Sequence, residues 1–185
     1  MTSKDQMRAE ARALRKQLAR ETPDAAGRLA GLAELLPAAR VVALYRPIGA
    51  ELDVGPLARR LVQLGRSLCL PVVTALDAPL SFRAWQPGDQ LVPDLADIDA
   101  PPASADTVTP DLILTPLLAF DAQGGRLGQG GGYYDRTFAA FPKAIRIGVA
   151  YAGQAVDHVP MQVHDRRLHG VLTETGYRFS MRISH

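Results

Sequence analysis

The sequence predicts an α/β fold: a single domain, residues 1–185, with a largely parallel central sheet flanked by helices. Three observations lead there. Short apolar runs bounded by turn residues alternate with stretches of helical period, the order that builds layered α/β domains. A chain of 185 residues with 47% apolar side chains can bury one substantial core and leaves little room for a second domain. No internal repeat breaks the alternation.

Taken in order, Met7, Ala11, Leu14 and Leu18 recur at helical spacing behind Ser3, a residue suited to capping, with Lys4, Arg8, Arg12 and Arg15 on the other faces. A second helix runs from Asp24 to Leu36 and stops at Pro37. Val41 to Tyr45 is a buried strand, closed by the turn Arg46-Pro47-Ile48-Gly49. Asp53 is placed to cap a helix carrying Leu57, Leu61, Val62 and Leu64, which Gly65 ends. Leu68 to Val73 and Leu80 to Trp85 follow as strands. Pro93 to Pro110, rich in Asp, Pro and Ala, reads as a surface connection. Leu112 to Leu114, Ile145 to Tyr151 and Val171 to Thr175 complete the strands, and a helix spans Tyr133 to Phe141.

Charge excludes some functions. Lys and Arg number 21 against 19 Asp and Glu, a net charge of +2, too small to mark a nucleic-acid or membrane-surface binder. From Ala84 to Gly125 there is no Lys or Arg, and seven aspartates make this stretch a solvated acidic surface. Met1 to Arg20 is too charged for a signal peptide, and no apolar run approaches the roughly 18 residues of a membrane span. Cys69 is the one cysteine, set between Leu68 and Leu70, so it belongs to the core and forms no intramolecular disulfide. The expectation is a cytoplasmic protein acting on small molecules, without nucleic-acid or membrane partners, as a monomer or weak homodimer.

The chemistry concentrates in Gly124-Gly125-Arg126-Leu127-Gly128-Gln129-Gly130-Gly131-Gly132-Tyr133-Tyr134-Asp135-Arg136. Between a strand and a helix, glycines can take positive φ and approach a ligand, and the helix adds unpaired N–H groups, which together cradle phosphates. Positive φ and close approach are expected at Gly130, Gly131 and Gly132. No Gly-Lys-Ser/Thr follows, so this is not a Walker A loop. A flexible linker is the competing reading, weighed down by the company of Arg126, two tyrosines and Asp135.

With Pro116 to Asp121 upstream, this string resembles the signature of 5-formyltetrahydrofolate cyclo-ligases. The resemblance extends to Lys4-x-x-x-Arg8, to Tyr45-Arg46-Pro47 through Glu51-Leu52-Asp53, to Phe82 through Gly88, and to Val159-Pro160 through His164-Asp165. It implies an ATP- and Mg²⁺-dependent enzyme that phosphorylates the formyl oxygen of 5-formyltetrahydrofolate. Attack by N10 then closes the ring of 5,10-methenyltetrahydrofolate, with ADP and phosphate released.

Carried over, the ATP-binding residues are Lys4, Arg8, Arg126, Leu127, Gly128, Gln129, Gly130, Gly131, Gly132, Tyr133 and Tyr134, with Arg126 also catalytic. Tyr45, Glu51 and Tyr133 would contact the folate, and Asp135 and Asp165 would hold magnesium. Bland readings stand beside these: a solvated helix face for Lys4 and Arg8, a helix cap for Asp135, a surface ion pair for Asp165, a strand end for Tyr45. Trp85 is either a stacking surface or core, and His169 either a ligand or a surface residue. Gln129 and Gly131 stand where some relatives carry basic residues. A non-catalytic folate- or nucleotide-binding paralogue therefore remains the alternative.

Overall fold

The computed structural model describes residues 4–181, so Ser3 and its expected cap lie outside them. In chain order the elements are α1 (Lys4–Glu21), α2 (Ala25–Gly31), β1 (Val41–Ala43), α3 (Gly55–Gln63), β2 (Ser67–Val72), β3 (Ser81–Ala84), β4 (Val92–Pro93), β5 (Asp99–Ala100) and β6 (Leu112–Pro116). Then come β7 (Ala119–Phe120), β8 (Arg126–Leu127), α4 (Tyr133–Ala140), β9 (Ile145–Val149), β10 (Gly170–Thr173) and β11 (Gly176–Phe179).

Seven strands form the main sheet in the order β11-β10-β9-β6-β1-β2-β3. All neighbours are parallel except the two edge pairs, β2 with β3 and β10 with β11. Strands buried on both faces need near-continuous apolar sequence, and Leu112 to Leu114 of β6 supply it. Leu112 and Leu114 turn to one face, where Leu29 of α2 and Leu57 and Leu61 of α3 cover them. Ile113 turns to the other, among Phe82 and Phe138 of α4.

From β1 the chain runs outward through β2 and β3, then returns to place β6 on the other side of β1 and continues through β9 and β10. The strand order thus reverses between β1 and β6, and a crevice opens there at the carboxyl ends of the strands.

The structure departs from the sequence reading at several elements. The second helix ends at Gly31 and tightens into a 3-10 turn over Ala33–Leu35, where Leu32 N–H donates back to Leu29 O at 3.0 Å. Asp53 serves α3 from one position earlier than expected: Val54 is the cap residue, and Asp53 Oδ1 accepts the Gly55 N–H at 2.8 Å. The acidic stretch is not all solvated connection. It contains the β4–β5 pair, Ala100 is buried, and the Asp94 carboxylate accepts N–H groups of Val73, Ala96 and Ile98.

Asp121 is buried between β7 and β8. Its carboxylate accepts N–H groups from Gln123, Gly125 and Val159 at 2.8–2.9 Å. A Cβ on Gly125 would sit 2.5 Å from Asp121 Oδ2, so Gly124 and Gly125 serve this hairpin turn. Among the described residues no helix is long and apolar enough to cross a membrane.

Candidate active site

The crevice at the carboxyl ends of β1 and β6 is a cavity of ≈ 380 Å³. Tyr45 and Glu51 reach it from the segment after β1, Pro116 and Leu117 from the end of β6, and Arg126 to Asp135 from the glycine segment. Lys4, Arg8 and Arg15 reach it from α1, and Asp165 from the segment before β10. Every residue expected at the ATP, folate and metal positions therefore lines one cavity.

The backbone of the glycine segment explains its composition unevenly. Gly130 and Gly132 take φ of +106° and +68°, which L side chains rarely adopt. Gly132 is also the residue from which α4 departs. Gly131 has no such φ, and a Cβ there would meet only the Tyr133 ring, at 3.3 Å. The expectation of positive φ at all three glycines is corrected to two. Gly128 matters for close approach, since a Cβ would lie 2.8 Å from the Arg126 guanidinium beneath it.

Two ion pairs join residues that the resemblance assigns to different roles. The Arg126 guanidinium donates to Asp135 Oδ2 at 2.9 Å, with the side chains 7% and 17% exposed, and lies 5.7 Å from the Tyr134 ring centroid. Lys4 Nζ donates to Asp165 Oδ2 at 2.9 Å. Burial pushes the Asp165 carboxyl up, but the Gln162 N–H, Lys4 and His164 together outweigh it and hold the group below its ordinary range.

Asp135 Oδ1 accepts the backbone N–H of Arg166 at 3.1 Å, so the two aspartates approach one another through adjacent backbone. Asp135 is not a cap, because its bonds go to Arg126 and Arg166 and neither is an α4 N–H. Among the described residues no group of three or more His, Cys, Asp and Glu side chains gathers to hold a metal. Two carboxylates with lone pairs left open do suit a hard divalent cation that fills its shell with water and phosphate oxygens.

Tyr45 closes one wall, its hydroxyl donating to Leu52 O at 2.7 Å, and burial with the nearby Glu51 charge raises its pKa well above the ordinary value. Glu51 faces the same cavity, with Oε2 accepting the Ile48 N–H at 3.0 Å. Burial raises its carboxyl, opposed by the Ile48 N–H and by Arg15. Tyr133 lies under the Arg136 guanidinium at 5.0 Å, and Arg136 also donates to Gly131 O at 2.9 Å. Burial likewise raises Tyr134, against the lowering effects of Arg126 and a hydrogen bond with Thr115. Leu127 is buried in β8, its carbonyl accepting the Leu118 N–H.

The sequence reading overlooked Arg12 and Arg15. Arg8 Nε donates to Gly128 O at 3.2 Å, and Arg12 Nε donates to the Gln129 side chain at 2.9 Å, so α1 supplies cations to a segment that carries few. Arg15 Nη1 lies 3.5 Å from Glu51 Oε1 and donates to Leu117 O. Their signal was present: Lys4, Arg8, Arg12 and Arg15, at steps of four, four and three, form one stripe of a helix. Trp85 packs against the core and does not line the cavity. His169 Nδ1 accepts the Arg146 N–H at the start of β9, away from it. Burial pushes the Cys69 thiol up to about 12, so it is no nucleophile.

Comparison with known proteins shows the family. The sequence model of the 5-formyltetrahydrofolate cyclo-ligase family matches residues 1–174. The 5-formyltetrahydrofolate cyclo-ligase of Escherichia coli is 36% identical over 142 residues, covering 73% of this chain and 78% of that protein. That of Mycolicibacterium smegmatis is 34% identical, covering 72% and 73%. The solution structure of Aquifex aeolicus 5,10-methenyltetrahydrofolate synthetase matches with a TM-score of 0.82 at 28% identity, over 98% of this chain and 96% of that one. The Mycoplasma pneumoniae synthetase, at 23% identity and a TM-score of 0.72 over 93% and 99%, shares the fold. By its sequence, its fold and the residues gathered at its strand reversal, the chain belongs to the 5-formyltetrahydrofolate cyclo-ligase family.

Proposed function

We propose that this chain converts 5-formyltetrahydrofolate and ATP to 5,10-methenyltetrahydrofolate, ADP and phosphate, as a monomer or weak homodimer in the cytoplasm. The observation that carries the reading is the shared cavity, where the glycine segment, supplied with cations by the α1 stripe, adjoins a pocket walled by Tyr45, Glu51 and Tyr133.

Lys4, Arg8, Arg126 and the backbone from Leu127 to Tyr134 bind the ATP phosphates. Phosphoryl transfer gains most from positioning and from charge neutralisation, which is what these groups offer. Glu51 accepts hydrogen bonds from the amino-pyrimidine edge of the pterin, while Tyr45 and Tyr133 give it aromatic walls. The formyl oxygen takes the γ-phosphoryl group as ADP leaves. N10 then attacks the activated carbon, loses its proton, and the former formyl oxygen departs in phosphate.

Arg126 is the catalytic cation of this scheme. Its side chain lines the cavity, paired with Asp135 and with Nε buried without a partner in the protein, so the cation is held at the place where the phosphates would lie. Asp135 and Asp165 would hold Mg²⁺, which supplies charge neutralisation at the phosphates when bound. The test is direct: purified protein with both substrates and Mg²⁺ forms methenyl product, read by absorbance, with ADP in equal amount. A non-catalytic paralogue would bind both ligands and form neither.

A further inference from the structure

Arg15 is the one buried residue of α1, and it is an arginine. Its side chain and that of Glu51 are 8% and 5% exposed, with Nη1 and Oε1 3.5 Å apart. Nη1 also donates to Leu117 O at 3.2 Å, and Nε has no partner in the protein. A buried ion pair is seldom retained for stability, since apolar side chains of similar volume serve as well. This one sits at the wall of the cavity, where a buried carboxylate left alone would take up a proton and become a donor on one oxygen and a weaker acceptor on the other.

We propose that Arg15 is a positioning residue for the folate half of the reaction, keeping the Glu51 carboxylate charged and aimed at the donors of the substrate ring. The proposal rests on the reading of Glu51 given above. The groups that face Glu51 are Arg15 from α1, Tyr45 from the segment after β1 and Tyr134 from α4. Tyr151, itself facing Glu174 and Asp53, flanks Arg15. Arg15 is the cation of that set. Burial is the largest influence on Glu51 and favours the neutral form; the Ile48 N–H and Arg15 oppose it. At 3.5 Å the guanidinium neutralises the charge without saturating Oε1, which stays open to a ligand donor.

The sign follows. Removing Arg15 removes a lowering influence, so Glu51 protonates at higher pH. Arg15→Gln should move the acid limb of kcat/KM for 5-formyltetrahydrofolate up by about one pH unit, a roughly tenfold loss on that limb. KM for ATP should stay put, and Arg15→Lys should restore the wild-type limb. On a Glu51→Gln background, Arg15→Gln should cost nothing more.

An unmoved limb, an equal rise in KM for ATP, or additive losses in the double variant each overturn the proposal. The parent reading fails separately, if Glu51→Gln binds 5-formyltetrahydrofolate like wild type. Should Arg15→Gln not fold, the carbon-13 carboxyl shift of Glu51 in wild type decides. A Glu51 protonated at neutral pH beside an intact Arg15 refutes the idea, and an ionised one sustains it.

Discussion

Single residues in the glycine segment are not equivalent. At Gly130 the backbone sits at φ +106° and a Cβ would also press on the Arg8 guanidinium at 3.3 Å. The left-handed region costs an L-residue roughly 1–2 kcal/mol, more for a β-branched one, and a displaced Arg8 adds to it. Gly130→Val should therefore weaken ATP binding at least about tenfold by calorimetry, while Gly131→Ala stays within about threefold of wild type. Asp121 is a different case, because truncation to Ala strands three N–H donors, those of Gly125 and Val159 buried. That change should cost about 3 kcal/mol or more, a fall in Tm of about 6–12 °C by scanning calorimetry. At this scale the glycine string was legible, because its composition carries chemistry. Lys4, Arg8, Glu51 and the two aspartates were reached through the family resemblance, and the fold gathers all of them at one cavity. Arg15 was reached by neither route. The stripe it shares with Lys4, Arg8 and Arg12 is visible in the sequence but reads as a solvated face, and only the fold brings the Leu117 carbonyl and Glu51 against it.

Elements were legible in proportion to their burial. The strands β1, β2, β6 and β9 announce themselves as apolar runs, since a strand covered on both faces admits little else. The pairs β4–β5 and β7–β8 are too short to show a period, and β11 is half exposed at the sheet edge, so all of these escaped notice. Helix α1 shows what holds an element in place when few of its side chains are buried. Its far end leans on the 3-10 turn at Ala152–Gln154, where a Cβ on Gly153 would lie 2.7 Å from Leu18 Cδ2. Gly153→Ala should tilt α1 and raise KM for both substrates several-fold, with a stability loss of about 1–3 kcal/mol from overpacking. Adding Leu18→Ala makes room for the new methyl and should return both KM values toward wild type. Steady-state kinetics of the single and double variants check this.

On the scale of the whole molecule, the strand reversal between β1 and β6 brings distant segments of the chain to one cavity, which no local pattern discloses. Removal of divalent metal with excess chelator should abolish product formation while leaving the melting transition of the ligand-free protein unchanged, since no structural metal cluster exists among the described residues. Undiminished turnover in chelator would withdraw the roles given to Asp135 and Asp165. A last consequence lies in the length of α1. Lys4 and Arg15 stand about 16 Å apart along its axis at 1.5 Å per residue, one beside the proposed phosphate end and the other beside the proposed pterin end. A ligand that orders α1 at one end would order it for the other, so that the entropy of ordering would be spent only once. Binding should then be cooperative, and linkage makes the effect reciprocal: a non-hydrolysable ATP analogue should lower Kd for 5-formyltetrahydrofolate by the same factor by which the folate lowers Kd for the analogue. Hydrogen exchange of the α1 amides should slow with either ligand alone.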